Sequence, residues 1–216
     1  MTTTPPFSQL VRERTRGIHA ETEGATFVAE LIEGERSRDD YALLLGQLYF
    51  VYEALEQVAG ALRTDPVVSG FVDDRLTRLP AIVADLAFLL GPDWRDQVAP
   101  LASTQRYAAR IQDTAAWPAG FVAHHYTRYL GDLSGGQAIR AVLQRQHGFD
   151  AHGVNFFVFS GIAKPKLFRD AYRERLDSVP WDEAERERVI AEVTRAFELN
   201  GAVFDDLAEA TARRAA

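Results

Sequence analysis

The stretch Tyr126-Thr-Arg-Tyr-Leu-Gly-Asp-Leu-Ser-Gly-Gly-Gln137 is where the chain departs furthest from ordinary helix chemistry. It lies inside a helical pattern yet carries Gly131, Gly135 and Gly136. An interior glycine costs a helix about 1 kcal/mol relative to alanine, so three together cost about 3 kcal/mol. Gly131 and Gly135 are four apart. On a helix they share a face and leave a strip without side chains, where a flat molecule can touch the backbone. The same glycines suit tight helix–helix packing, and the adjacent pair also permits a kink. Arg128 and Asp132, again four apart, can pair along the helix. Beside a glycine strip Asp132 can organise water over a bound ligand; the alternative is an ordinary surface ion pair.

The histidines offer a second kind of chemistry. His19 and Glu23 are four apart, so the carboxylate can take one imidazole N–H and leave the other nitrogen for a metal. Arg12 lies two helical turns before His19, roughly 10 Å up the same face at 1.5 Å per residue. A metal centre with an anionic edge that far away would match the pair; a structural histidine is the plainer alternative. His124 and His125 are adjacent and point about 100° apart on a helix, so they do not ligate one ion. His124 reads as packing or as support for another group, and His147 and His152 as turn residues near Gly148 and Gly153.

Lys164, Lys166, Arg169, Arg173 and Arg175 face only Asp170 and Glu174 across residues 164–175. This is either a solvated face or a clamp for carboxylate or phosphate, to which arginine is well shaped. Asn200 falls between Phe197 and Phe204 on an apolar stripe, where it needs a hydrogen-bond partner or caps a kink at Gly201.

The composition narrows these options. The chain has 216 residues, 47% hydrophobic and 25% charged, which suits one globular domain. Its net charge of -7 disfavours general nucleic-acid binding. Of the 24 basic residues only Lys164 and Lys166 are lysine. The absence of cysteine excludes disulfides, thiolate catalysis, iron–sulfur clusters, zinc fingers and thioether-linked haem. No HExxH, ExxH or GxSxG occurs, which argues against zinc proteases, carboxylate-bridged di-iron bundles and serine hydrolases. The N-terminus lacks an apolar signal core and no apolar run is long enough to span a bilayer, so the expectation is a cytoplasmic protein.

These residues must be positioned by helices. Ser8 is expected to cap a helix reaching about Gly24. Ser37-Arg-Asp-Asp40 opens another through Ala61, with acidic residues in its first turn. Further helices are expected over Leu76–Leu90, Pro100–Trp117 and Pro118 to about Gly148, then Pro165 to about Val179. Trp181-Asp182 begins a closing helix with Val189, Val193, Phe197, Phe204 and Leu207 on its apolar stripe. Val154–Phe159 is the best strand candidate, without a partner. The expectation is an all-α single domain over 1–216 of about eight helices, with residues 1–7 and 209–216 as flexible tails.

The run Ala123-His-His-Tyr-Thr-Arg-Tyr-Leu-Gly-Asp-Leu-Ser-Gly-Gly-Gln137 resembles the distal-helix signature of the biliverdin-producing haem oxygenases. Thr15-Arg-Gly-Ile-His19-Ala-Glu-Thr-Glu23, Phe168-Arg-Asp-Ala-Tyr-Arg173 and Phe197-Glu-Leu-Asn200 support it in order. The resemblance implies haem sandwiched between a proximal helix and a kinked distal helix. It implies His19 as the iron ligand held by Glu23, and Gly131, Gly135 and Gly136 as backbone against the ring, with Ser134 alongside. Asp132 would anchor water beside bound dioxygen, within a shell of Arg128, Tyr126 and Asn200. Phe197 would flank the haem, and Arg12, Arg169 and Arg173 would meet its propionates. Family members often carry lysine at the positions of Arg12 and Arg169, and a small residue at that of His125. The implied reaction converts haem, which is substrate and cofactor together, to biliverdin, carbon monoxide and ferrous iron for haem degradation or iron acquisition. It consumes dioxygen and electrons from a reductase or ferredoxin docking near 164–175. A haem-binding or haem-shuttling protein of the same fold that leaves its ligand intact is the rival reading. The membrane tail of animal members has no counterpart here, as in soluble bacterial types.

Overall fold

The structure is a computed structural model that describes residues 5–215. Residues 1–4 and 216, parts of the expected tails, lie outside it. Helix α4 (Arg38–Ala61) begins where the sequence chemistry places it. Ser37 accepts from the Asp40 amide while Asp40 accepts from the Ser37 amide, a reciprocal capping box. Helix α5 (Leu79–Leu90) stops at Gly91, whose φ of 91° suits glycine and disfavours any other residue. Helix α7 (Pro118–His147) has proline in its first turn and ends on left-handed Gly148. Helices α6 (Ala102–Asp113), α8 (Pro165–Ser178) and α9 (Glu183–Ala215) complete the expected set.

The N-terminal helix differs from expectation. It is split at Thr15 into α1 (Phe7–Arg14) and α2 (Arg16–Glu23). Thr15 turns its hydroxyl back onto the Val11 carbonyl at 2.8 Å, and α1 packs on both α8 and α9 whereas α2 packs on α9. Ser8 does not cap; Pro6 occupies that position. Ser8 instead donates from its amide and hydroxyl to Asp177, at 2.6 and 3.0 Å.

A short α3 (Thr26–Glu33) was not expected, and nine α-helices are therefore present among the described residues. Val154–Phe159 forms no strand. Its centre is a 3-10 turn pinned by Asp85, which accepts from Asn155 Nδ2 at 2.7 Å and the Phe156 amide at 2.8 Å. Of the expected tails, Phe7 and residues 209–215 are helical, whereas Pro5 and Pro6 precede the first helix. Phe7 is buried edge-on against Trp181, and α9 continues past Thr211, also buried. The core runs through α4, α6, α7 and α9, leaving α1 and α2 against one edge of that stack.

Candidate active site

α2 and α7 face each other across a cleft of about 410 Å³, closed by Arg12 and Thr15, Arg173 of α8, and Phe197 of α9. That size is within the usual range for a small-molecule site. On the α2 wall His19 Nδ1 lies 3.2 Å from Glu23 Oε2. The imidazole stands edge-on to Phe197, centroids 5.2 Å apart. Glu23 thereby favours the tautomer with its proton on Nδ1 and a lone pair on Nε2, the form a metal needs.

The opposite wall is backbone. A Cβ added to Gly131 or Gly135 would meet nothing within 4 Å, so the space in front of both is open to whatever occupies the cleft. Tyr126, Thr127, Leu130 and Ser134 extend this wall. Ser134 Oγ donates to the Leu130 carbonyl at 2.7 Å and accepts from Arg169 at the rim.

Arg128, Asp132 and Asn200 are outside the lining, one layer deeper. Arg128 Nη1 donates to Asn200 Oδ1 at 2.8 Å. Its Nη2 reaches Asp132 Oδ1 at 3.3 Å and Tyr52 Oη at 3.4 Å. The Tyr52 hydroxyl donates to Asp132 Oδ2. Burial pushes the Asp132 carboxyl above the usual carboxylate range, with Arg128 and Tyr52 pulling the other way. Burial also raises Tyr52 well above 10, so it keeps its proton. Burial opposes the Arg128 charge, which the nearby Asp132 carboxyl and the bond to the Tyr52 oxygen help to hold. An almost fully buried acid beside the glycine strip can therefore hold a proton at a pH where an exposed one would have lost it.

Residues 5–206 match the family described as Heme oxygenase. The chain belongs to the heme oxygenase family. It is 37% identical over 201 residues to heme oxygenase 1 of Synechocystis sp., covering 93% of this chain and 83% of the relative. Human heme oxygenase 1 is 36% identical over 206 residues, covering 94% of this chain and 72% of the relative. The crystal structure of heme oxygenase-1 from Synechocystis in complex with heme matches with a TM-score of 0.90 at 33% identity, over 98% of each chain.

Several of the residues singled out from the sequence thus meet at one cleft: Arg12, His19, Glu23, Tyr126, Gly131, Ser134, Gly135, Arg173 and Phe197. Gly136 does not. It is turned away from the cleft, where an added Cβ would lie 3.0 Å from Phe157 Cδ1, so its lack of a side chain serves packing. The basic run 164–175 divides. Arg169 and Arg173 approach the cleft, Lys166 pairs with Asp170 at 2.9 Å, and Arg175 donates to the Gly70 carbonyl at 3.0 Å.

His124 and His125 are both buried and point to different partners. His124 Nε2 bonds Glu192 at 2.7 Å, and His125 Nδ1 bonds the Tyr172 hydroxyl at 2.9 Å. His147 is the last residue of α7, and His152 is in an exposed turn beside Asp150. No cluster of three or more His, Asp or Glu suited to a metal occurs among the described residues, so any metal here arrives with other ligands. Sequence reasoning missed Tyr52, which bonds Asp132 behind the cleft. The signal for Tyr52 was a phenol on the inward stripe of an apolar helix, which needs a partner once buried.

Proposed function

We infer that this protein is a haem oxygenase, which opens haem oxidatively to biliverdin, carbon monoxide and ferrous iron. Dioxygen and externally supplied electrons are the co-substrates. The observation that carries this reading is the pairing of a Glu23-oriented His19 with a wall of bare backbone at Gly131 and Gly135, backed by a buried acid. The residues fit a flat, anionic, iron-bearing ligand. A side chain at either glycine would fill the space a ring needs, and His19 offers one imidazole nitrogen. Arg12, Arg16 and Arg173 supply positive charge at one end of the cleft.

Bound there, haem supplies the iron that activates dioxygen and the macrocycle that is oxidised. The protein's part is positional and protolytic. His19 would hold the iron, and an imidazole ligand does not drive O–O cleavage as a thiolate does. The bare backbone at Gly131 and Gly135 would let a ring lie close against α7 and would restrict approach to its edge. Asp132, kept from free ionisation by burial and oriented by Tyr52 and Arg128, holds and releases a proton through water next to that wall. Arg12, Arg169 and Arg173 would hold the propionates. The Asp132 network is what separates this reading from a haem carrier, which has no use for a buried acid beside the ligand.

We further propose that a reductase or ferredoxin docks near the α8 corner, where Lys164 and Lys166 add charge to Arg169, and that the protein works in the cytoplasm. No helix among the described residues is long and apolar enough to cross a membrane. The deciding experiment adds haem, reduces it for a single turnover in air, and follows biliverdin and the carbon-monoxide-bound band. Recovery of intact haem would overturn the assignment.

A further inference from the structure

A second, smaller cavity of about 160 Å³ lies between the end of α4, the loop at residues 72–77 and the face of α7 that carries His125 and Tyr129. Those two residues are four apart and share that face, about 200° around the helix from Thr127 and Gly131 in the cleft. They are 2% and 3% exposed, so the polar atoms they carry need partners. His125 Nδ1 has one, the Tyr172 hydroxyl at 2.9 Å, with the two rings stacked at 13°. Nothing among the described residues bonds His125 Nε2 or Tyr129 Oη. Both residues line the cavity, so their free atoms face it.

Tyr172 decides which way the His125 proton points. That phenol is fully buried, and burial raises it well above its usual pKa, so it keeps its proton. Its acceptor among the described residues is His125 Nδ1, which must then present a lone pair. Burial keeps the imidazole neutral by lowering its pKa to about 3. The single ring proton is therefore on Nε2, a donor aimed into the cavity.

The outer half of the cavity has the opposite character. Glu56 Oε1 accepts from the Arg78 and Leu79 amides, at 2.5 and 3.0 Å. These bonds favour the ionised carboxyl although burial raises its pKa. Its Oε2 has no partner among the described residues. At the mouth Asp74 pairs with Arg63 and Asp73 with Arg75, so their charges are answered and that of Glu56 is not. Ala59, Val72 and Leu76 supply apolar wall. An anion suits the inner donors but meets Glu56, and a cation suits Glu56 but leaves the His125 N–H without an acceptor. Leaving a buried polar group unpaired costs more than one ordinary hydrogen bond gains.

We propose that this cavity binds a small neutral primary amide. Its carbonyl accepts from His125 Nε2–H and the Tyr129 hydroxyl, and its NH2 donates to Glu56 Oε2. The site is independent of the haem reading, because no residue lines both cavities.

Acetamide, acetate and acetamidinium share one shape and differ in donors, acceptors and charge, so together they read the ligand class. In ligand-free, 15N-labelled protein at neutral pH, acetamide shifts the His125 Nε2–H resonance and saturates with a Kd of about 5 mM, within reach of so small a molecule. Acetate and acetamidinium bind about tenfold more weakly or not at all. Tyr129→Phe keeps the ring, removes the hydroxyl and weakens acetamide about fivefold. Glu56→Gln keeps the oxygen that accepts from Arg78 and Leu79, makes a donor of the other and weakens acetamide about tenfold. Loading with haem leaves the acetamide affinity unchanged. An unprotonated His125 Nε2, no saturable shift, acetate or acetamidinium binding as tightly as acetamide, or displacement of acetamide by haem overturns the site. Full acetamide affinity in either variant overturns the contacts assigned to it.

Discussion

Helix α7 carries glycine on two faces, and the two sets answer to opposite demands. Gly131 and Gly135 look into the cleft, where an added Cβ meets nothing. Gly120 and Gly136 look into the protein, where it would strike the Trp117 ring or Phe157. One residue type thus leaves an open face on one side and permits close packing on the other. The histidines divide in a similar way between elements. His19 on α2 is half exposed at the cleft, whereas His124 and His125 on α7 are sealed inside. Helix propensity is sacrificed in both glycine sets, but only the cleft-facing set could recover it without steric cost. That difference is the mark of a site: stability is forgone where nothing in the protein itself requires it.

The largest expected effect is on the chemistry beside the open face. Asp132→Asn removes the proton but keeps the shape, so haem titrates as before while biliverdin formation in a single turnover falls about 100-fold or more. Undiminished biliverdin would detach the buried acid from the glycine wall. Next, Gly120→Ala forces the Trp117 ring, tethered to Glu185 at 2.6 Å, out of place and costs about 2 kcal/mol in denaturant melts. Gly131→Ala should do the reverse. It stabilises the ligand-free protein by about 1 kcal/mol while weakening haem binding in absorbance titrations. A destabilised Gly131→Ala would erase the contrast between the faces. Gly136→Ala is the finer case: the helix gain is offset by Phe157, which is wedged between Tyr41 and Phe156. The net is a loss of about 1 kcal/mol or less.

The buried histidines add a pH signature. Burial depresses His125 to about 3, so between that value and the ordinary 6.5 the unfolded chain binds a proton that the folded chain refuses. Stability is therefore fully present above pH 6.5 and is lost as pH falls, at up to about 1.4 kcal/mol per pH unit per histidine. His124 shifts in the same direction. His125→Phe should flatten part of that slope in melts from pH 7 to 5; an unchanged slope would place the proton uptake elsewhere.

Much of this arrangement was legible in the sequence, because period and punctuation are local. The Ser37–Asp40 box, Gly91, Pro118 and Gly148 mark helix ends through their own backbone chemistry. The pairs Arg128/Asp132 and His19/Glu23 follow from i,i+4 spacing. What escaped depended on distant partners. The first helix breaks at Thr15, where α1 leans on α8 as well as α9 and α2 on α9. The 154–159 run is a turn because Asp85, from α5, takes up its polar groups. Gly136 and Gly135 are adjacent, and only the position of Phe157 shows that they face different neighbours. Tyr52 lies eighty residues from Asp132, so no local pattern joins them.

The break at Thr15 also bears on how the cleft is closed. It leaves His19 on an eight-residue helix in which only Thr22 is buried. Such a segment holds few of the contacts that resist local opening. A ligand gripped between His19 and the α7 backbone would act as the missing core of that wall, tying α2 to the rest of the molecule. Part of the intrinsic affinity is then consumed in ordering α2, and the same coupling makes loss of the ligand's grip the event that loosens the wall again.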